Sequence, residues 1–297
     1  MKTLVILLIA FLAVFSLSAT LITVDNNIPS SGDYETFSAA YNAASPGDMI
    51  YIYPSTMSYG SYGIAKQLTI VGAGTDPANP EMVTSKFIPL VNNVDGSGSV
   101  CIGLDITSGT NSYYPATWRN CVFDSYLNVT RAGSVLEECL FKSQVTIGNG
   151  TNETYNITIT GCTFDYDSTK LNLYSLASCV LYNCVFYGNY YAVNCAQSNT
   201  TAAFNHCLFV NRDTGSLRLA AGQTSTANLI FINNIFETIT YIPANFTYLY
   251  NIWEGSPVEV TDPSNYLGVD LATVMVDVNG GDYHYTPGSL AYGNGQN

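Results

Sequence analysis

Charge is scarce in this chain. Of its 297 residues only 10% are Asp, Glu, Lys or Arg, against about 25% in an ordinary soluble protein. Cations are scarcest, with 9 Lys and Arg against 22 Asp and Glu, for a formal net charge of −13. Such a surface repels phosphate, which argues against nucleic acid and anionic membranes as partners. With only 2 His and no Cys-x-x-Cys pair, no zinc-site pattern can be drawn. Proline numbers only 11, glycine has no three-residue period, and 47% of residues are hydrophobic. Those figures fit neither collagen nor a disordered chain.

Long apolar runs are missing too, save at the start. Lys2 precedes an apolar stretch, Leu4 to Leu17, followed by the small residues Ser18 and Ala19. At about 14 residues the stretch is shorter than the roughly 20 needed to span a bilayer. Residues 1–19 therefore read as a signal peptide cleaved near 18–19, and the mature chain as secreted or held at the cell surface. Sequons stand at Asn128, Asn149, Asn152, Asn156, Asn199 and Asn245. A chain this rich in Asn, Ser and Thr yields about five by chance, so they alone do not establish glycosylation.

What the sequence does contain is a repeat. Asn120-Cys121-Val122-Phe123 recurs as Glu138-Cys139-Leu140-Phe141, Gly161-Cys162-Thr163-Phe164, Asn183-Cys184-Val185-Phe186 and His206-Cys207-Leu208-Phe209. Asn233-Asn234-Ile235-Phe236 is a sixth copy, and Cys101 is expected to open the series. Successive Cys residues lie 18, 23, 22 and 23 positions apart, a spacing that suits a solenoid built of short strands. Cys and Phe, two apart, share one face of a strand, and both belong inside. Leu127 to Val129, Val145 to Ile147, Ile157 to Ile159, Leu171 to Leu173 and Leu217 to Leu219 read as further strands. The coils should stack about 4.8 Å apart as parallel strands, right-handed, with the Phe residues in one column and the Cys residues beside it.

The ends fit this picture. Phe37, Ala40, Tyr41 and Ala44 have helical spacing, with Asp33 as the expected N-cap, so residues 33–44 predict a helix that plugs the stack. The stretch from Phe37 to Pro54, through Ser45-Pro46-Gly47-Asp48 and Met49-Ile50-Tyr51-Ile52-Tyr53, resembles the opening of right-handed parallel β-helix proteins of the pectin lyase-like superfamily. Val276 to Ser289 is similar to the closing segment of such proteins, and the recurring Asn-Cys-x-Phe is in their style. The resemblance implies an all-β, right-handed parallel β-helix from 20 to 297 with an N-terminal capping helix and a closing segment from about 275. It implies no single activity, because one fold hosts lyases, hydrolases, adhesins and noncatalytic repeats.

Eight cysteines in an exported protein raise disulfides. Side chains in register point in parallel, which disfavours the S–S torsion, so Cys121, Cys139, Cys162, Cys184 and Cys207 read as a buried thiol ladder. Cys179 and Cys195 lie off this register and could join one bridge. His206 reads as a turn residue and His284 as a cap on the last coil.

For chemistry, the outward position after each Phe reads Asp124, Lys142, Asp165, Tyr187, Val210, Glu237, with Asp167 on the same face as Asp165. Superfamily lyases bind acidic polysaccharide on such a face, often with calcium on carboxylates and a basic residue as base. By that resemblance Asp124, Lys142, Asp165 and Asp167 form the candidate catalytic set of a polysaccharide lyase or glycoside hydrolase. The competing reading is a charge-balanced ladder in which Lys142 relieves two carboxylates. The Asn-Thr-Asp, Asp-Asp, Gly-His-Gly and Arg-Ile-Lys signatures of polygalacturonase-type hydrolases do not occur, and no adjacent carboxylate pair stands out in the sequence. Tyrosine is abundant, at 23 residues. Tyr113, Tyr114, Tyr187, Tyr190 and Tyr191 fall in or near turns, where a ring can stack on sugars. The expectation is a noncatalytic surface, matrix or adhesive protein without a cofactor, whose partner is a polysaccharide or a cell-surface or matrix protein.

Overall fold

A computed structural model describes residues 19–74, 82–148, 155–174, 177–195, 200–211, 217–221, 227–237, 239, 241–244, 246–277, 282–287 and 289. Residues 1–18 of the expected signal peptide lie outside these residues, as do the sequons at Asn149, Asn152, Asn199 and Asn245. Strands run in three long parallel sheets of eleven, eight and six strands, each pairing with the equivalent strand of the next coil. A full coil thus has three strands, where the sequence made at least two recognisable. Leu127–Val129, Val145–Ile147, Leu171–Leu173 and Leu217–Ala221 belong to the six-stranded sheet. Ile157 to Ile159 lies within Tyr155–Thr160, a strand of the eleven-stranded sheet.

The repeated phrase forms the corner leading into the eight-stranded sheet. The residue before each Cys position turns the chain in the left-handed conformation: Gly103, Asn120, Glu138, Gly161, Asn183, His206, Asn233 and Tyr250 have φ between 51° and 63°. Gly and Asn tolerate that region best, which explains why they dominate there. His206, at φ 53°, is one such corner residue.

Register corrects the series at both ends. Cys101 pairs with Trp118 in the eleven-stranded sheet. The phrase opens instead at Gly103-Leu104-Asp105-Ile106, because Ile106 pairs with Phe123. An eighth copy follows Phe236: Tyr250-Asn251-Ile252-Trp253, with Trp253 paired to Phe236.

Inside, Phe123, Phe141, Phe164, Phe186, Phe209 and Phe236 stack with centroids 4.9, 5.1, 4.6, 4.9 and 4.6 Å apart. Trp253 closes the column 3.9 Å from Phe236. Phe204, Phe231 and Tyr248 form a second column, at 4.6 and 5.4 Å, packed edge-on against the first. Offset stacking repeated every coil satisfies the ring quadrupoles while burying whole rings.

Beside the rings run the thiols. All eight cysteines are buried and free. Each ladder thiol donates to the carbonyl two residues back, Cys121 to Arg119, Cys139 to Glu137, Cys162 to Thr160, Cys184 to Tyr182 and Cys207 to Asn205, at 3.3 to 3.5 Å. Burial pushes the Cys139 and Cys184 thiols well up, and takes Cys179 to about 12 and Cys195 to about 11. Past Cys207 the column becomes an amide ladder. The Asn234 Oδ1 accepts the Cys207 N–H at 2.8 Å, and the Asn251 Oδ1 accepts the Asn234 N–H at 2.8 Å.

The N-terminal helix is Phe37–Ala43, capped by Thr36, whose side chain accepts from the Ala39 N–H. Asp33 is not the cap; its carboxylate accepts from the Thr23 N–H and hydroxyl and ties the loop to the first strand. Phe37, Ala40, Tyr41 and Ala44 are buried as their spacing requires. The Lys66 ammonium donates to the carbonyls of Tyr41 and Ala44 at 2.7 and 2.8 Å, placing a cation at the helix C-terminus. At the other end, Val260 packs into the core, whereas Leu271, Val274 and Met275 lie against Leu208, Val210, Ile235 and Ile252. The closing segment therefore covers part of the outside of the eight-stranded sheet. His284 lies in Asp282–Tyr285, an antiparallel partner of Met275–Asp277.

Candidate functional site

Two outer flanks carry the residues with chemistry. On the eight-stranded sheet, Asp165 pairs in register with Tyr187 and Tyr187 with Val210. Lys142 and Asp124 make an ion pair at 3.0 Å, with half of the Lys142 side chain exposed. Its neighbour on one side, Asp124, therefore takes up Lys142. Glu237 and Glu254 follow the paired residues Phe236 and Trp253, so two carboxylates do lie on consecutive coils. Burial raises the Glu237 carboxyl, the Asn211 N–H that it accepts at 2.6 Å lowers it, and Glu254 raises it further. The 17-residue gap between them hid this pair in the sequence.

Asp167 and Lys170 act on the next coil. The Asp167 carboxylate accepts the Asn189 N–H at 3.1 Å, and the Lys170 ammonium donates to the Asn189 carbonyl at 2.7 Å. Lys170 is fully buried, and burial draws its amine down to about 8, opposed by the charge of Asp167. Sequence reasoning missed Lys170 because nothing local marks it; its place inside the corner depends on the six-residue excursion after Phe164.

Asn189, held through both its N–H and its carbonyl, leads directly into Tyr190, at φ 69°, and Tyr191. Their rings meet edge to face at 4.7 Å. The Arg218 guanidinium lies 6.0 Å from the Tyr190 ring and 5.5 Å from that of Tyr191, and donates to the Tyr191 hydroxyl at 3.3 Å. Tyr190 and Arg218 are exposed. The other tyrosines do not join them. Tyr187 packs against the cluster under the closing segment, and Tyr114 packs on the core with Arg131 over its ring. Tyr113 is exposed but follows Thr110–Ser112, the strand at the far edge of the six-stranded sheet.

Between these edges the same sheet presents one column in register: Asn111, Asn128, Thr146, Asn172 and Asn194. The Asn128 amide donates to Asn111 Oδ1 and that of Asn194 to Asn172 Oδ1, both at 2.8 Å. Five coils at about 4.8 Å make a track of about 19 Å without formal charge. Among the described residues no group of three His, Cys, Asp or Glu side chains is arranged to hold a metal ion, and no helix is long and apolar enough to cross a membrane.

No protein-family profile matches the sequence, and neither does any curated protein. The chain is similar to a pectin methylesterase from Aspergillus niger, with a TM-score of 0.45 and 15% identity over 86% of this chain and 94% of that one. It is also similar to pectate lyase Pel9A, with a TM-score of 0.55 and 11% identity over 93% of this chain and 91% of that one. The likeness to Pel9A extends over nearly the whole of both chains, and what it establishes is the fold: a right-handed parallel β-helix.

Proposed function

We propose that this protein is an exported, noncatalytic carbohydrate-binding β-helix whose six-stranded sheet takes an extended, uncharged polysaccharide. The observation that carries this reading is the Tyr190–Tyr191–Arg218 cluster, in which Tyr190 and Arg218 are exposed and Tyr191 half-buried. Its rings offer stacking faces and its guanidinium a fork of donors, both suited to sugar rings and hydroxyls. The amide column beside it adds donors and acceptors without charge, and a net charge of −13 disfavours a polyanion. The fold shared with Pel9A supports a polysaccharide partner and keeps cleavage as the competing reading, centred on Asp124, Lys142, Asp165 and Asp167 with calcium. Against that reading, the Lys142 ammonium is already engaged by Asp124 at 3.0 Å.

The test is affinity electrophoresis of the mature chain in neutral and acidic polysaccharides, with products assayed in parallel with and without calcium. The expected result is retardation by a neutral polymer, lost in Tyr190→Ala and Arg218→Ala and retained in Lys142→Ala, with no products. Unsaturated or new reducing ends that disappear in Lys142→Ala or Asp165→Ala would establish the enzymatic reading instead.

A further inference from the structure

The third flank, the outside of the eleven-stranded sheet, has a different character. Each strand turns at least two residues outward, and the register aligns two columns that run the length of the stack. They are mostly Thr, Val and Ile, half-exposed or exposed. In a chain of net charge −13, the only charges in these columns are Arg119 and Glu137. These two are adjacent in one column and bridged at 2.5 Å. A neutral apolar strip this long on an acidic protein marks a contact surface.

We propose that two copies of this chain meet face to face on this sheet, with their helix axes antiparallel. The strand order places Arg119 on the fifth strand of eleven and Glu137 on the sixth. A two-fold axis lying between the faces, along the strands and midway between these two, sets Arg119 opposite the partner's Glu137, and Glu137 opposite the partner's Arg119. Such an isologous contact needs a self-complementary patch, and one Arg beside one Glu at the middle of a neutral strip supplies it. The same axis sets Met49 and Tyr51 opposite the partner's Ala203 and the partner's Asn205, and Val71 opposite the partner's Tyr182, so large side chains meet smaller ones. Both copies share the coil repeat, so the match holds along the strip.

Area is sufficient. The ten strands that face each other span nine intervals of about 4.8 Å, roughly 43 Å, and two columns of side chains a width of about 14 Å. The total of about 1,200 Å² for both copies reaches the lower end of the range of about 1,200–2,000 Å² for specific protein–protein interfaces. Elsewhere the acidic surface opposes self-association.

Sedimentation equilibrium of the mature chain tests this, using protein expressed without N-glycans because the Asn156 sequon borders the strip. The expected species is a dimer at micromolar concentration. Ala203→Arg should make it monomeric with an unchanged far-ultraviolet spectrum. Glu137→Arg should weaken association at least tenfold by setting like charges against each other, and adding Arg119→Glu should restore it. A monomer up to about 100 µM, including one that uses this face to bind a crystalline polysaccharide, overturns the proposal, as does a dimer indifferent to Ala203→Arg. This outcome is independent of the six-stranded flank.

Discussion

The buried amine of Lys170 makes a prediction whose sign and size both follow from its surroundings. Its pKa falls from 10.5 to about 8, chiefly through burial. The depression of roughly 2.5 pH units is equivalent to about 3 kcal/mol against the charged folded form. Below pH 8 the amine is protonated in both states, and this cost is borne in full. Between about pH 8 and 10.5 the unfolded chain binds more protons than the folded one, so Lys170 makes stability rise with pH. Tyrosines and thiols titrate in the same window, so the assay is a difference: urea unfolding of wild type and Lys170→Met at pH 7 and pH 10. Methionine removes the buried charge but leaves the Asn189 carbonyl without its 2.7 Å partner, a loss of about 1–3 kcal/mol. The two effects nearly offset at pH 7, whereas at pH 10 the wild type should lead by about 2–3 kcal/mol more. A difference that does not change with pH would show that water reaches the amine, and the argument from burial would be wrong.

Other substitutions probe the scaffold. Phe186→Ala removes a ring stacked at 4.6 and 4.9 Å between two neighbours and should cost about 3–5 kcal/mol in urea unfolding. Glu138→Gly should stabilise by about 0.5–1 kcal/mol, because Glu138 holds φ 51° with its side chain exposed and glycine relieves that strain; a loss of stability would refute the corner argument. Asp25 is held below the usual carboxylate range chiefly by the Ser31 N–H, and Asp48 chiefly by that of Ser45. Their stabilisation is present above the ordinary carboxylate pKa and is lost as pH falls through the lowered values. Asp25→Asn and Asp48→Asn should therefore flatten the acid limb of a thermal-melting profile.

The interior was legible because it repeats. A two-residue offset between Cys and Phe, recurring every coil, fixes the inward face whatever the turn lengths, and the ring column follows. The reading failed where chemistry changed but geometry did not. Leu104 and Ile106 fill the Cys and Phe places at one end, Asn251 and Trp253 at the other, and a search for Cys and Phe passes over both. The φ values show what the phrase encodes: a left-handed corner followed by one inward residue, one outward and one inward again. Thr36 was overlooked as the helix cap for a related reason. Asp33 has the right chemistry, but the chain is still pairing with the first strand there, and the helix starts only at Phe37.

The candidate site was harder to read, because its residues become neighbours only through register. Asp124 and Lys142 could be matched by counting from Phe, since both follow the phrase directly. Tyr113 and Tyr190 look alike as residues in turns, yet one follows an edge strand of the sheet and the other begins a strand four places away. Arg218 reaches Tyr191 from 27 positions away because Tyr190–Asn194 pairs with Leu217–Ala221. In a solenoid the inward residues are alike from coil to coil, so they reveal the fold and little else. The outward residues differ between the three sheets: ion pairs and the closing segment on one, an amide column ending at aromatics on another, an almost uncharged strip on the third. What a residue can contact on this scaffold is therefore set by which sheet it faces from, a property of the three-strand coil that appears only once the strands are in register.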